Sequence, residues 1–469
     1  MSASAAALPA SSPRDLVSQL WSLARLGEAP LDRLTLTGRE PVQPSSFRVD
    51  ALAQAAVATQ GLAACALHEA RGGGAQRVAV DIRAAAADFV SERLLRIEGG
   101  PAPELWDAIA GLYSCADGRF VRLHTNFAHH RAGVVRLLGC ADTREAVAAA
   151  LKSWRAEDFE SAATQAGLVV AMARRVEEWD AHPQAAALAQ LPVFEIDRIG
   201  DAPAPPRPAG ERPASALRVL DLTRIIAGPV AGRVLAGYGA DVLGVTSPTL
   251  PSVFPLVVDT GRGKRQSALD LRTEQGRDAF IALVREADVM VQGYRPGAIT
   301  GLGFSEAELL ALNPSLIVAN LSAYGQLGPW ARKRGFDSLV QTATGFNFAE
   351  ADAFGETAPR ALPCQALDHG AGHLLAGAIM AALTRRAREG GAWRVSISLA
   401  QVGRLLRGLG AVAPERAAKP DHAPYLAQFE SGFGRLTATR PAAVLTRTPA
   451  RYDLPSSPLG AHPPVWLAS

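Results

Sequence analysis

The chain of 469 residues has little of several things, and each shortage excludes a class of protein. It has four cysteines, Cys65, Cys115, Cys140 and Cys364. None is paired in a C-x-x-C spacing, so neither a disulfide framework nor a zinc ribbon is predicted, and a reducing, cytoplasmic setting fits. Charge of one sign is scarce: 48 basic against 45 acidic residues leave a formal charge of +3. A nucleic-acid binder concentrates basic charge on one face, so no nucleic-acid partner is expected. No uninterrupted apolar run is long enough to span a bilayer, and no membrane partner is expected. Met1–Ser12 lacks the charged start and apolar block of a secretory signal and reads as a disordered leader. What the chain does have is 48% apolar residues, ample for sizeable cores.

Punctuation divides the chain. The stretch DAPAPPRPAGERPAS, Asp201–Ser215, is a predicted linker, because its prolines remove donors and favour extended backbone. It separates a unit over 46–200, preceded by an extension over 1–45, from a larger unit over 216–410. A tail over 411–469 is rich in proline, with little helical period, and is predicted to run extended over another domain.

After the linker, strand and helix alternate. The strand ALRVLDLT (216–223) precedes Gly228-Pro229 and a helix. Asp241–Val245 is the next strand, Glu274–Glu286 a helix and Asp288–Gln292 a strand. Ser305 with Glu308 has capping-box spacing, and the strand Leu316–Ser322 follows. Such alternation predicts an α/β fold: an open parallel sheet with helices on both faces, Rossmann-like, plus a smaller α+β domain in the first unit. One echo crosses the linker: ARGGGAQRVAVDI (70–82) repeats as AREGGAWRVSISL (387–399), each after an Ala-rich helix. One structural unit has been used twice.

The most informative segment is CQALDHGAGH, Cys364–His373. Asp368 at the start of a helix is either an N-cap or a nucleophile able to attack a thioester and form a mixed anhydride. Gly370, Ala371 and Gly372 would allow close approach of a thioester, and free N–H groups there would hold the oxyanion. His369 and His373 have metal-ligand spacing, but Gly370 stands where a zincin needs Glu, so no metal is assigned. His124, His129 and His130 read as a polar surface or dimer contact. In GRGKR, Arg265 stands where a phosphate loop needs Ser or Thr. Lys264 and Arg265 are either phosphate partners or a solvated turn. Tyr294 and Arg295, in GYRPG at a strand's carboxyl end, are a base stack and a phosphate contact, or an ordinary turn.

Taken together these segments resemble the class III CoA-transferases. VLDLTRIIAGPVAGRVLAGYGADV (219–242), TGRGKRQSALDLRTEQGR (260–277), ADVMVQGYRPGAITGLGF (287–304), NPSLIVANLSAYGQLGPW (313–330) and RGFDSLVQTATG (334–345) follow in the family's order. DGRFVRLHTNFAHHRAGVVRLLG (117–139) and SWRAEDFESAATQAGLVVAMARRVEEWDAHPQ (153–184) are similar to its second half, here placed first. The resemblance implies an acyl-CoA:carboxylate CoA-transferase with Asp368 as nucleophile, working through aspartyl anhydride and aspartyl-CoA thioester intermediates. It implies Arg224, Ile225 and Ala227 at the CoA thiol end, and Lys264, Arg265, Tyr294 and Arg334 nearer the nucleotide and pantetheine, beside the phosphate candidate Arg295. Asp337, His369 and Gly370 become active-site neighbours. Acyl-CoA and a small carboxylate are the implied substrates, coenzyme A a substrate moiety rather than a resident cofactor, and a homodimer the implied assembly. Departures from the family are Gly244 and Thr246 for Lys and Glu, Gly293 for Asn and Gly301 for Arg. Phe336 stands where racemase members carry a catalytic His. Two rival readings stay open: an acyl-CoA racemase or isomerase, and a catalytically degenerate CoA-binding paralogue.

Overall fold

The computed structural model describes residues 12–205, 210–413 and 420–467. The reading of the first residues as a leader lies outside these, except Ser12, which caps the Pro13–Ala24 helix with a capping box. Part of the linker and of the loose stretch after residue 410 also lie outside.

A seven-stranded sheet organises the larger unit. Its spatial order is Arg265–Ala268, Asp241–Thr246, Arg218–Leu222, Val289–Gln292, Ile317–Ser322, Ala392–Ser398 and Phe194–Gly200. The first six run parallel, and Phe194–Gly200 pairs antiparallel at the edge. That last strand belongs to the first unit, so the sheet crosses the proline-rich divide. Strand order reverses between Arg218–Leu222 and Val289–Gln292, the switch point where open α/β sheets hold ligands beyond the strands' carboxyl ends. Valine, leucine and isoleucine make up about half of Asp241–Thr246, Arg218–Leu222, Val289–Gln292 and Ile317–Ser322, whose faces are both covered by helices.

The smaller lobe is α+β: the antiparallel strands Gly111–Ser114, Phe120–Leu123 and Val170–Met172 pack on the helices Ala128–Leu138, Arg144–Leu151 and Ala156–Gln165. The 411–469 tail is more structured than an extended wrap. It forms the hairpin Leu426–Phe429 with Leu436–Thr439, and adds Ala443–Leu445 to the strand Val78–Asp81. The linker's far end is pinned, because Arg212 is buried against the carbonyls of Gly237 and Arg451.

The echoed unit is the same helix–strand–helix twice. Val49–Ala70, Val78–Asp81 and Ile82–Asp88 match Ala366–Glu389, Ala392–Ser398 and Leu399–Gly408. Asp81 and Ser398, counterparts in the alignment, each cap the following helix. The two long helices are buried nearly all round and pack on each other. Gly377 lies against the backbone of Gln60, its own counterpart, and a Cβ there would come within 3.2 Å of Gln60 Cα. Contact between counterparts is the mark of a two-fold, isologous packing, here inside one chain.

Glycines set how closely the third partner helix, Ala227–Gly237, approaches Ala366–Glu389. A Cβ on Gly372 would lie 2.6 Å from the Ala227 carbonyl oxygen and 2.8 Å from Val230. We therefore expect Gly372→Ala to force these helices apart and destabilise the fold by ~1–3 kcal/mol, measured as a lowered urea midpoint with unchanged m-value.

Candidate functional site

Asp368 is the third residue of the Ala366–Glu389 helix. The first turn of any helix leaves N–H groups unpaired, and here they are satisfied from outside. Asp337 Oδ2 accepts from the N–H groups of both Leu367 and Asp368, at 2.8 Å each. Asp337 is itself fully buried at the start of the Asp337–Ala343 helix and also accepts from Gln341 Nε2. Asp337 thus does the capping that Asp368 would do as an N-cap. Among the described residues, the Asp368 carboxylate accepts no hydrogen bond from a protein group.

That carboxylate is 6% exposed and lines a narrow cleft of about 40 Å3. The cleft's other walls include Glu92, Arg93, Trp106, His124, Asn126 and Ser338. Burial raises the Asp368 pKa well above the usual carboxylate range, and the nearby charges of Asp337 and Glu92 raise it further. Burial also pushes Asp337 up to about 6, against the hydrogen bonds it accepts. His124 stacks on Phe336 at 4.0 Å and is driven down to about 3 by burial, so it stands neutral beside the cleft.

Ile225 and Phe336 line both this cleft and a larger groove of about 330 Å3. The groove lies at the sheet's switch point, between the carboxyl ends of Arg218–Leu222 and Val289–Gln292. Arg224, Ile225, Tyr294, Arg295 and Arg334 all border it, as do His129 and His130. Ile225 takes φ +77°, a left-handed conformation costly for a β-branched side chain. Strain of this kind clusters where a site needs a particular backbone shape. Arg334 has its pKa lowered, first by burial and then by Arg295. Its Nε is buried with no hydrogen-bond partner. Two guanidinium groups repelling each other in one groove are suited to a phosphate.

Other residues named from the sequence are not in the groove. Arg265 is 4% exposed and is held by Asp241 through a two-pronged ion pair and by the Val465 carbonyl. Lys264 borders a neighbouring cavity, but its Nζ is tied to Asp221 Oδ2 at 2.8 Å and to the Pro229 carbonyl at 2.7 Å. Gly261 and Gly263 of GRGKR face Val257, Ser456, Tyr452 and Ala236, so they serve internal packing, not an exposed phosphate loop. Ala227 is buried with its carbonyl against Gly372. Gly370 faces Val402 and Leu52, so Gly370 and Gly372 admit neighbouring helices and not a thioester. The Asp368 N–H is already taken by Asp337. His369 points behind the cleft, stacked on Phe89 with Nε2 3.0 Å from Glu92 Oε2. His373 Nε2 lies 3.3 Å from Asp88 Oδ2. Among the described residues no cluster of three metal-ligating side chains forms.

In the first copy of the echo, Ala51 stands at the Asp368 position. Asp50 turns back to accept from the N–H groups of Val42 and Gln43, and Glu40 caps Ala51 N–H much as Asp337 caps Asp368. The first copy has the cap and no carboxylate at the Asp368 position.

Sequence reasoning missed Glu92, Arg93, Trp106, Asn126 and Ser338. It also placed His124, His129 and His130 at a surface or dimer contact, whereas His124 borders the cleft and the other two border the groove. The position of the three histidines just after the Phe120–Leu123 strand was the one available signal.

The chain matches CoA-transferase family III over residues 27–205 and 215–418, and it belongs to that family. It is 34% identical over 270 residues to a probable fatty acyl-CoA transferase, Rv3272, of Mycobacterium tuberculosis, covering 54% of this chain and 67% of that one. It is 32% identical over 213 residues to a succinate–glutarate CoA-transferase of Agrobacterium fabrum, covering 42% of this chain and 53% of the relative. An acetyl-coenzyme A transferase, nodX, of Hypoxylon pulicicidum is 34% identical over 203 residues, 42% of this chain and 34% of its own length. The crystal structure of Rv3272 aligns with 36% identity and a TM-score of 0.39, over 42% of this chain and 56% of that one. The chain thus spans between a third and two thirds of these relatives' lengths. No described helix is long and apolar enough to cross a membrane.

A buried carboxylate with a raised pKa costs stability wherever it must ionise. Below the unfolded-state value, near 4, Asp368 is protonated in both states and costs nothing. As pH rises through the elevated folded value, the cost grows to its full size. Asp368→Asn removes it. We expect the variant's Tm to exceed wild type by about 1–3 °C at pH 8, with the difference vanishing near pH 4, read by calorimetry.

Proposed function

We propose that the protein is an acyl-CoA:carboxylate CoA-transferase with Asp368 as its covalent nucleophile. The observation that carries this reading is a carboxylate without a hydrogen-bond donor, placed where a narrow cleft meets a groove edged with arginines. An Asp368 oxygen attacks the thioester carbonyl of a donor acyl-CoA; the C–S bond breaks and CoA leaves as thiolate. The thiolate attacks the Asp368 carbonyl of the mixed anhydride, releasing the donor acid as carboxylate and leaving aspartyl-CoA. An incoming carboxylate attacks this thioester, re-forming an anhydride, and CoA thiolate takes the new acyl group. Asp368 returns as carboxylate. Each step exchanges one anionic nucleophile for one anionic leaving group, so no proton or metal is called for. Coenzyme A enters as substrate, its nucleotide and pantetheine along Arg224, Tyr294, Arg295 and Arg334. The walls that meet Asp368 come from both halves of one chain, so this reading does not depend on the homodimer that the resemblance implies.

The rival, exchange of an α-proton, draws on His124, the imidazole that borders the same cleft. Its neutral form is so weakly basic that proton abstraction from an acyl-CoA gains little from it. Uptake of solvent deuterium into an acyl-CoA would favour this rival.

Two outcomes test the proposal. Incubation with a panel of acyl-CoAs should add an acyl or CoA mass to the peptide carrying Asp368, seen by mass spectrometry and absent in Asp368→Asn. An adduct that persists in the variant contradicts the assignment. Arg295→Ala and Arg334→Ala should each raise the calorimetric Kd for CoA about tenfold. Arg265→Gln should lower Tm and leave that Kd alone.

A further inference from the structure

We propose that Glu92 is a positioning residue for Asp368: from the other half of the chain it fixes the adjoining His369 and sets a second buried carboxylate in the nucleophile's cleft. The inference rests on the reading of Asp368 as nucleophile and adds a component that reading does not contain. Glu92 lies on the short Ser91–Leu94 helix, directly after the first copy of the echoed unit. It is 2% exposed and borders the Asp368 cleft.

Its two oxygens do different things. Oε2 meets His369 Nε2 at 3.0 Å, and His369 is the residue next to Asp368 in the helix. Oε1 is buried with no hydrogen-bond partner, 3.4 Å from Arg93 Nε. Left for stability alone, a buried carboxylate oxygen with no donor is a liability. In the cleft it has a use. Attack by Asp368 turns a carboxylate into a neutral anhydride, so like-charge repulsion from Glu92 is present before the step and gone after it. The repulsion therefore favours acylation and not the resting state.

Behind Glu92 the structure is stiff. Phe89 stacks on both His369 and His373. Asp88 pairs with Arg233, which pairs with Asp259, itself bound to Arg262 and Ser91. The groups facing the two carboxylates are Asp337 from the capping helix, Arg93 beside Glu92, His124 from the small lobe and His369 on the nucleophile's own helix. Among the described residues Arg93 is the only cation bordering the cleft, and it also donates to the Pro363 carbonyl.

The test is rapid-quench acylation of the full chain by an acyl-CoA that gives an adduct, across pH. Glu92→Gln keeps the shape and one oxygen able to face His369 Nε2, but removes the charge. It should slow Asp368 acylation about tenfold at high pH, leave KM for acyl-CoA within about twofold, and move the acid limb of the rate to lower pH, because Asp368 then ionises more readily. Glu92→Asp, which retains the charge, should keep the wild-type acid limb even where its rate falls; this variant carries the test if Glu92→Gln does not fold. An acid limb unmoved in Glu92→Gln, or moved as far in Glu92→Asp, overturns the role of Glu92. Absence of any adduct in wild type overturns instead the assignment of Asp368.

Discussion

A carboxylate taken out of water and given no donor is among the costliest things a fold can hold. Asp368 is in that position, and much of the surrounding structure is what makes it tolerable. Asp337 satisfies the helix start on which Asp368 sits, so the helix forms although Asp368 contributes nothing to the cap. The same carboxylate adds its repulsion to burial. One side chain both builds the platform and raises the energy of what stands on it. The helix cannot yield, because Val49–Ala70 and Ala227–Gly237 press on it where Gly370, Gly372 and Gly377 leave no side chain in the way. Rigidity is what lets an unfavourable charge persist in place of relaxing toward solvent.

The parallel sheet beyond residue 215 was legible because its signals are local. Short apolar strands, the Ser305 capping box and Pro229 in the first turn of its helix act through neighbours a few residues apart. Tyr294, Arg295 and Arg334 were legible for a different reason: loops at strand ends converge when strands are parallel, whatever the side chains. Lys264 and Arg265 show where that logic stops. Both sit beside glycines, as phosphate ligands do, but Asp221 and Asp241 on adjacent strands capture them. Which side of a turn a lysine faces depends on strand order, and strand order is not written in the turn. Gly370 and Gly372 misled in the same way, since space for a ligand and space for a helix look alike in one dimension.

Glu92 and its neighbours were out of reach altogether. The bond from Glu92 to His369 closes over 277 positions of chain, and nothing in SERL distinguishes a cleft residue from a surface turn. The echo was visible and its meaning was not. The two copies pair as counterparts, as subunits do across a two-fold axis, with Gly377 on Gln60. The copy with Ala51 at the Asp368 position is thus placed to wall in the copy that carries Asp368. Family III membership is read from both halves of the chain.

The central claim is that burial, with Asp337 and Glu92 beside it, raises the Asp368 pKa well above the range of an ordinary aspartate. Difference infrared spectra of wild type against Asp368→Asn, titrated upward in pH, measure it directly. The account predicts a protonated-carboxyl C=O band assignable to Asp368 at pH values where free aspartate is wholly ionised. Superimposable spectra in that range, with the band gone as for a solvated carboxyl, would contradict it.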